Sequence, residues 1–253
     1  MKKRNDSKIT MAALMMMAAM AMTSCASSKK INGDSNASKD SEMGKNEEDL
    51  DNSYLVLSDA QQDIVKKNNA FALRLFNKVT DMESKVISPM SVSYLMGMLA
   101  NGADGITQQE ILKAIGCEGV SVSDLNELYK AMLLTANKQD KQTTVNIANY
   151  IAVNKNFQLN KDFCQKVSDS YLAGIESLDF TSSKSTDRIN GWCKEKTNGM
   201  IPRIIDQVSS DAVSYLMNAI YFKGTWQNKF NAKDTKLENF RGYTRDIQKV
   251  EMM

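Results

Sequence analysis

The stretch 212–230, AVSYLMNAIYFKGTWQNKF, constrains the fold more than any other part of the chain. From 213 to 222 both alternating sets are apolar, with Val213, Tyr215, Met217, Ala219 and Tyr221 on one face and Leu216, Ile220 and Phe222 on the other. A strand apolar on both faces must be covered front and back, which predicts a central strand rather than a half-exposed one. Asn218 breaks the run. Burying its amide without partners costs roughly 2–7 kcal/mol, so polar groups from a neighbouring element should reach it. The competing reading of Asn218 is a polar residue at a sheet edge.

With 253 residues the chain has room for one large domain or two small ones. The formal charge of +2 is set at the N-terminus, where Lys2, Lys3, Arg4 and Lys8 stand against Asp6 within the first 24 residues. The remainder holds 28 basic residues (32 less 4) and 29 acidic ones (30 less 1), so nothing points to nucleic acid as a partner. Histidine is absent, which removes Ser/His and Cys/His dyads and every imidazole metal site. No nucleophile elbow, dinucleotide fingerprint, phosphate loop or CxxC string occurs, so no catalytic residue, metal ligand or cofactor is expected, and the chain is not expected to be an enzyme.

Residues 1–24 combine a basic start, an apolar run from Met11 to Met22, and the small residues Thr23 and Ser24. The run is short for a stable membrane span and has the three-part layout of a secretory signal. Met22-Thr23-Ser24-Cys25 resembles the bacterial lipobox, with Met at its first position, and that resemblance implies cleavage before Cys25 and lipid attached to it. The alternative is an ordinary signal peptide with an incidental cysteine. From 26 to 58 the chain is rich in Ser, Asn, Asp, Lys and Glu and nearly free of large apolar residues before Tyr54, so 25–58 should be a flexible tether between a membrane and a folded domain. The protein would then be exported, lipid-anchored at the cell envelope or surface, and otherwise extracellular. Cys117, Cys164 and Cys193 match no metal spacing and read as mainly buried apolar residues, with room for one disulfide in an oxidising compartment.

In 59–253 a helix is expected from 59 to 82 on Ile64, Phe71, Leu75 and Val79, followed by a short strand at Val86 and Ile87. Ser88-Pro89 is a cap and first-turn pair for a second helix over 90–100, apolar nearly all round and therefore internal. Thr107 and Glu110 read as the capping box of a third, ending near Gly116. A fourth helix is expected over 122–137, and a strand on Val145, Ile147, Ile151 and Val153 that Asn149 and Tyr150 interrupt. The pattern then predicts a helix over 161–171, an extended segment over 174–180, and a helix over 186–197 that Asn198-Gly199 and Pro202 end. Helices come first and strands mix in later without regular alternation, which is α+β.

Four ordered blocks resemble the serpins: VISPMSVSYLMGMLANGADGITQQEIL (86–112), ANYIAVNKNFQLNKDF (148–163), INGWCKEKTNGMIPRII (189–205) and LMNAIYFKGTWQNKFNAKDTKLENF (216–240). The resemblance implies a serpin fold, with N-terminal helices and part of a large central mixed sheet. It also implies that Ser88, Ser91 and Asn218 form the polar cluster where opening of that sheet is controlled. Trp226 matches the family's tryptophan where the sheet first parts, Lys233, Asp234 and Thr235 match the segment after it, and 189–197 matches the helix lying across the sheet. For these positions the plain alternative is that they only hold the fold.

The implied activity is inhibition of a serine, or less often cysteine, endopeptidase by cleavage of a reactive loop that inserts into the central sheet. Strand addition of this kind is well known for serpins. The chain ends at KVEMM, similar to the family's V-P-M-M strand with Glu251 at the proline position. It therefore reads as a serpin domain incomplete at the C-terminus, with no reactive-loop residue present and with 212–222 as one wall of the insertion gap. A non-inhibitory, serpin-fold binding lipoprotein is the alternative function.

Overall fold

The computed structural model describes residues 55–81, 85–136, 143–242 and 245–252. The signal segment, Cys25 and most of the expected tether lie outside the described residues. Six α-helices and five strands follow in the order α1 (Asp59–Val79), α2 (Pro89–Ala100), α3 (Gly105–Ala114), α4 (Val122–Ala136), β1 (Thr144–Asn154), α5 (Lys161–Tyr171), β2 (Gly174–Leu178), α6 (Ser183–Lys196), β3 (Ser214–Lys223), β4 (Lys236–Arg241) and β5 (Ile247–Met252). This is the predicted α+β arrangement.

The helix ends follow from local chemistry. Ser58 caps α1 in a full capping box with Gln61, and Ser88 caps α2 with Pro89 in its first turn, as the sequence predicts. Thr107 and Glu110, read as the capping box of α3, lie inside that helix instead. Asp104 is the cap, its carboxylate accepting from Gly105 N at 2.7 Å, because it stands directly after the turn that ends α2. The strand expected at Val86 and Ile87 does not form. Val86 is 64% exposed, and no neighbouring strand offers a ladder to it among the described residues. Helix α6 starts earlier than the expected 186, because the Ser182 side chain accepts from Lys184 N and recruits the first turn. It ends as predicted, with Asn198 and Gly199 both left-handed (φ 49° and 82°) and Gly199 N donating to Lys194 O at 2.7 Å.

The main sheet has strand order β2-β1-β3, with β1 parallel to β2 and antiparallel to β3. On one face Ile147, Ile151 and Val153 of β1 and Leu216 of β3 meet the core of α1, α2, α4 and α5. On the other, Tyr150 and Ala152 of β1 and Met217 and Ala219 of β3 meet Ile189, Trp192 and Cys193 of α6. The doubly apolar pattern has its predicted cause, cover on both faces, over 216–220, whereas Val213 and Phe222 at its ends are exposed. The central position belongs to β1, however, since β3 pairs with β1 alone and its second edge is unpaired among the described residues. A separate antiparallel hairpin joins β4 and β5.

Candidate functional site

The site is built where α2, β1, β3 and α5 meet. Ser88 is 1% exposed, and its Oγ accepts from Ser91 N at 3.1 Å and from Ser91 Oγ at 2.8 Å. Helix α2 packs against β3, which brings its serine-bearing start and Asn218 onto the same face of the sheet. The partner that reaches Asn218 is Asn149, directly opposite on β1: Asn218 Nδ2 donates to Asn149 Oδ1 at 2.8 Å. Asn149 Nδ2 in turn donates to the Tyr171 carbonyl at the end of α5, at 2.7 Å. Neither serine hydrogen-bonds Asn218, so the expected three-residue cluster divides into a serine pair and an amide pair. Asn218 Oδ1 is buried and has no partner.

Asn149 is the residue sequence reasoning missed. It is 3% exposed and lies within an unbroken eleven-residue strand rather than interrupting one. Its signal was its polarity at a core-facing position, the same signal that singled out Asn218.

Around this amide pair the helical core is aromatic. Tyr94 and Tyr129 have ring centroids 4.8 Å apart, and Tyr171 stands edge-on to both. Burial drives all three phenols well above their ordinary range, so they stay neutral. The ring of Tyr171 is held by Asn126, which accepts its hydroxyl at 2.8 Å and exchanges two amide bonds with Asn101.

On the opposite face α6 is tied down by a second network. Tyr150 stacks on Trp192 at 5.0 Å, Tyr150 Oη donates to Glu176 Oε2 at 2.7 Å, and Arg188 pairs with Glu176 at 2.8 Å. Burial raises the Glu176 carboxyl's pKa, but the hydrogen bonds from Arg188 and Tyr150 outweigh it and leave the pKa lowered. The loop after α6 is clamped by Asn190, whose Oδ1 accepts from Ile204 N and Ile205 N and whose Nδ2 donates to Ile205 O.

Trp226 is 71% exposed and touches Phe230 edge-on at 5.9 Å, so it is not a core tryptophan among the described residues. Lys233 and Asp234 lie in a 3-10 turn, Ala232–Asp234, capped by Asn231, and Thr235 closes it. The structure does not bring these residues to the amide pair. The cysteines Cys117, Cys164 and Cys193 are free thiols, the first and last buried. Among the described residues no helix is long and apolar enough to cross a membrane.

Similarity to known proteins fits this architecture. The chain is 33% identical over 193 residues to Iripin-1 of Ixodes ricinus, covering 74% of this chain and 49% of that protein. It is likewise 33% identical to the leukocyte elastase inhibitor of Bos taurus, covering 74% of this chain and 50% of that protein. Among solved structures, the thermophilic serpin tengpin in its latent state matches with a TM-score of 0.69 at 32% identity, covering 78% of this chain and 53% of that one. The chain thus spans about half the length of the curated relatives it matches. A family model described as Serpin (serine protease inhibitor) matches residues 66–253, most of the chain, and with the helix-covered sheet above it places this protein in the serpin family.

Proposed function

We propose that this chain is part of an exported, lipid-anchored inhibitor of serine or cysteine endopeptidases that works by cleavage and insertion of a reactive loop beside β3. The observation that carries the reading is β3 itself, covered on both faces, unpaired along its second edge among the described residues, and bearing a buried amide oxygen without a partner. An arriving strand would pair with that edge and could satisfy the Asn218 acceptor. In the serine-protease case, the protease hydroxyl attacks the scissile carbonyl, an ester bond forms, and the peptide nitrogen leaves with a proton. Loop insertion then distorts the acylated protease before water can cleave the ester. Ser88, Ser91 and Asn218, with Asn149 added, would govern how readily the sheet opens, and Trp226 with Lys233, Asp234 and Thr235 would lie where it first parts.

The relatives' names as elastase and serine protease inhibitors support this reading. Export and lipid at Cys25 are supported by the basic start, the apolar run and the lipobox-like residues before Cys25.

The test is to extend the coding sequence past Met253, express the product and incubate it with serine and cysteine proteases. An SDS-resistant complex at the summed mass is the expected result. Cleaved product alone across the panel refutes inhibition and favours a non-inhibitory serpin-fold binding protein.

A further inference from the structure

On the α5 side of the sheet, β1, β2 and α5 border an open groove of about 680 Å³. Its floor is mostly apolar, with Ser177 of β2 and Gln158 of the loop before α5 as polar interruptions. Val153 of β1 and Ile175 of β2 belong to the helical core, and Leu159 and Phe157 extend this surface along the loop before α5. Phe157 remains 47% exposed, so that end of the groove is a half-open aromatic wall.

The opposite wall is a stripe of α5. Lys161, Cys164, Gln165 and Ser168 line the groove at i, i+3, i+4 and i+7, a single helical face. The helix sends its buried residues, Val167 and Tyr171, elsewhere, so this stripe is not the one that packs on the core. The result is a trough whose sheet and loop side is mainly hydrocarbon and whose helix side carries most of the hydrogen-bonding groups. Lys161 is the one charged residue lining it, and it forms no ion pair among the described residues. It stands in the first turn of α5, where the positive end of the helix adds to its field; Asp162, in the same turn, does not line the groove.

We infer that this groove binds an amphipathic monoanion, an acyl carboxylate whose chain lies on Val153, Ile175, Leu159 and Phe157 and whose charge meets Lys161. A cation of the same shape would be repelled, and a neutral alcohol would forgo the ionic end. This site is independent of the inhibitory reading. Cys164 supplies a built-in reporter, because it is half-buried in the groove wall whereas Cys117 and Cys193 are buried.

The experiment titrates the purified full chain with decanoate, decanol and decyltrimethylammonium below their micellar limits. It follows alkylation of Cys164 by iodoacetamide, located by peptide mass spectrometry, with calorimetry in parallel. Decanoate should slow Cys164 alkylation saturably, decanol should bind about two- to fivefold more weakly, and the ammonium should not protect. Along hexanoate, octanoate and decanoate each added methylene should tighten binding by up to about fourfold. Lys161→Gln and Lys161→Glu, both at an exposed position, should weaken decanoate about two- to fivefold while leaving decanol binding and the unfolding midpoint unchanged. Equal protection by decanoate and decyltrimethylammonium, wild-type decanoate affinity in either Lys161 variant, or no protection by decanoate overturns the proposal.

Discussion

The Asn149–Asn218 pair makes a prediction in which two chemically identical truncations have unequal costs. Asn149→Ala removes the donor to the Tyr171 carbonyl and the acceptor for Asn218 Nδ2, leaving two polar groups without partners. Each such group costs about 1–3 kcal/mol, so a loss of roughly 2–4 kcal/mol is expected, toward the low end because Asn218 is only partly buried. Asn218→Ala is different. It leaves the buried Asn149 Oδ1 without its donor, costing about 1–3 kcal/mol, but also removes the Asn218 Oδ1 that had no partner, which recovers a similar amount. The two effects nearly cancel, and the change should fall within about 1 kcal/mol of zero. The single variants strand Asn218 Nδ2 and Asn149 Oδ1 respectively, whereas the double variant strands only the Tyr171 carbonyl, so the coupling should be about 2–3 kcal/mol. Urea unfolding followed by tryptophan fluorescence and by far-UV dichroism measures all three. If Asn218→Ala costs as much as Asn149→Ala, the geometry of this pair is wrong.

Four further outcomes are expected, three from the structure and one from the sequence around Cys25. In Gly97→Ala the new Cβ would lie 2.4 Å from Tyr171 Oη and 3.1 Å from the Tyr129 ring, so overpacking of about 1–3 kcal/mol should exceed the roughly 1 kcal/mol gain in helix propensity and lower the melting temperature. Asp179 is held at about 2, below its ordinary 3.8, by hydrogen bonds from Lys155 and Thr181; its contribution is therefore present above about pH 4 and lost as pH falls toward 2, and Asp179→Asn should flatten that part of an acid-unfolding curve. Burial raises the Cys117 thiol to about 11, so at pH 8 alkylation should reach Cys164 at least a hundredfold faster than Cys117, as peptide mapping would report. Cys25→Ser should abolish incorporation of an alkyne-tagged fatty acid into the protein expressed in a bacterial host, and retained label would refute lipid attachment there.

Much of this fold was legible because the informative residues act locally. Pro89 after Ser88, Asn198-Gly199, and the apolar periods of α1 and α4 all report on a single turn or a single face. The errors came from residues whose state depends on distant neighbours. Val86 and Ile87 have strand chemistry, but a strand requires a ladder partner that a local pattern does not reveal. Thr107 read as the cap of α3 from its spacing to Glu110, but Asp104, directly after the turn that ends α2, caps the helix instead. The serines and Asn218 each signalled a buried polar role, yet a one-dimensional pattern does not say which polar groups meet. Asn149 stands 69 positions before its partner, so only the β1–β3 register joins them.

That separation has a consequence for biosynthesis. At 5–20 residues per second a ribosome takes about 3–14 s to go from Asn149 to Asn218, and in that interval β1 can zip only to the short parallel strand β2. The nascent chain then exposes β1's other flank, eleven residues rich in hydrocarbon with an amide at its midpoint, before its antiparallel mate emerges. Chaperone dependence and off-pathway aggregation should peak while the ribosome traverses α5, β2 and α6, and slowing translation there should lower the soluble yield.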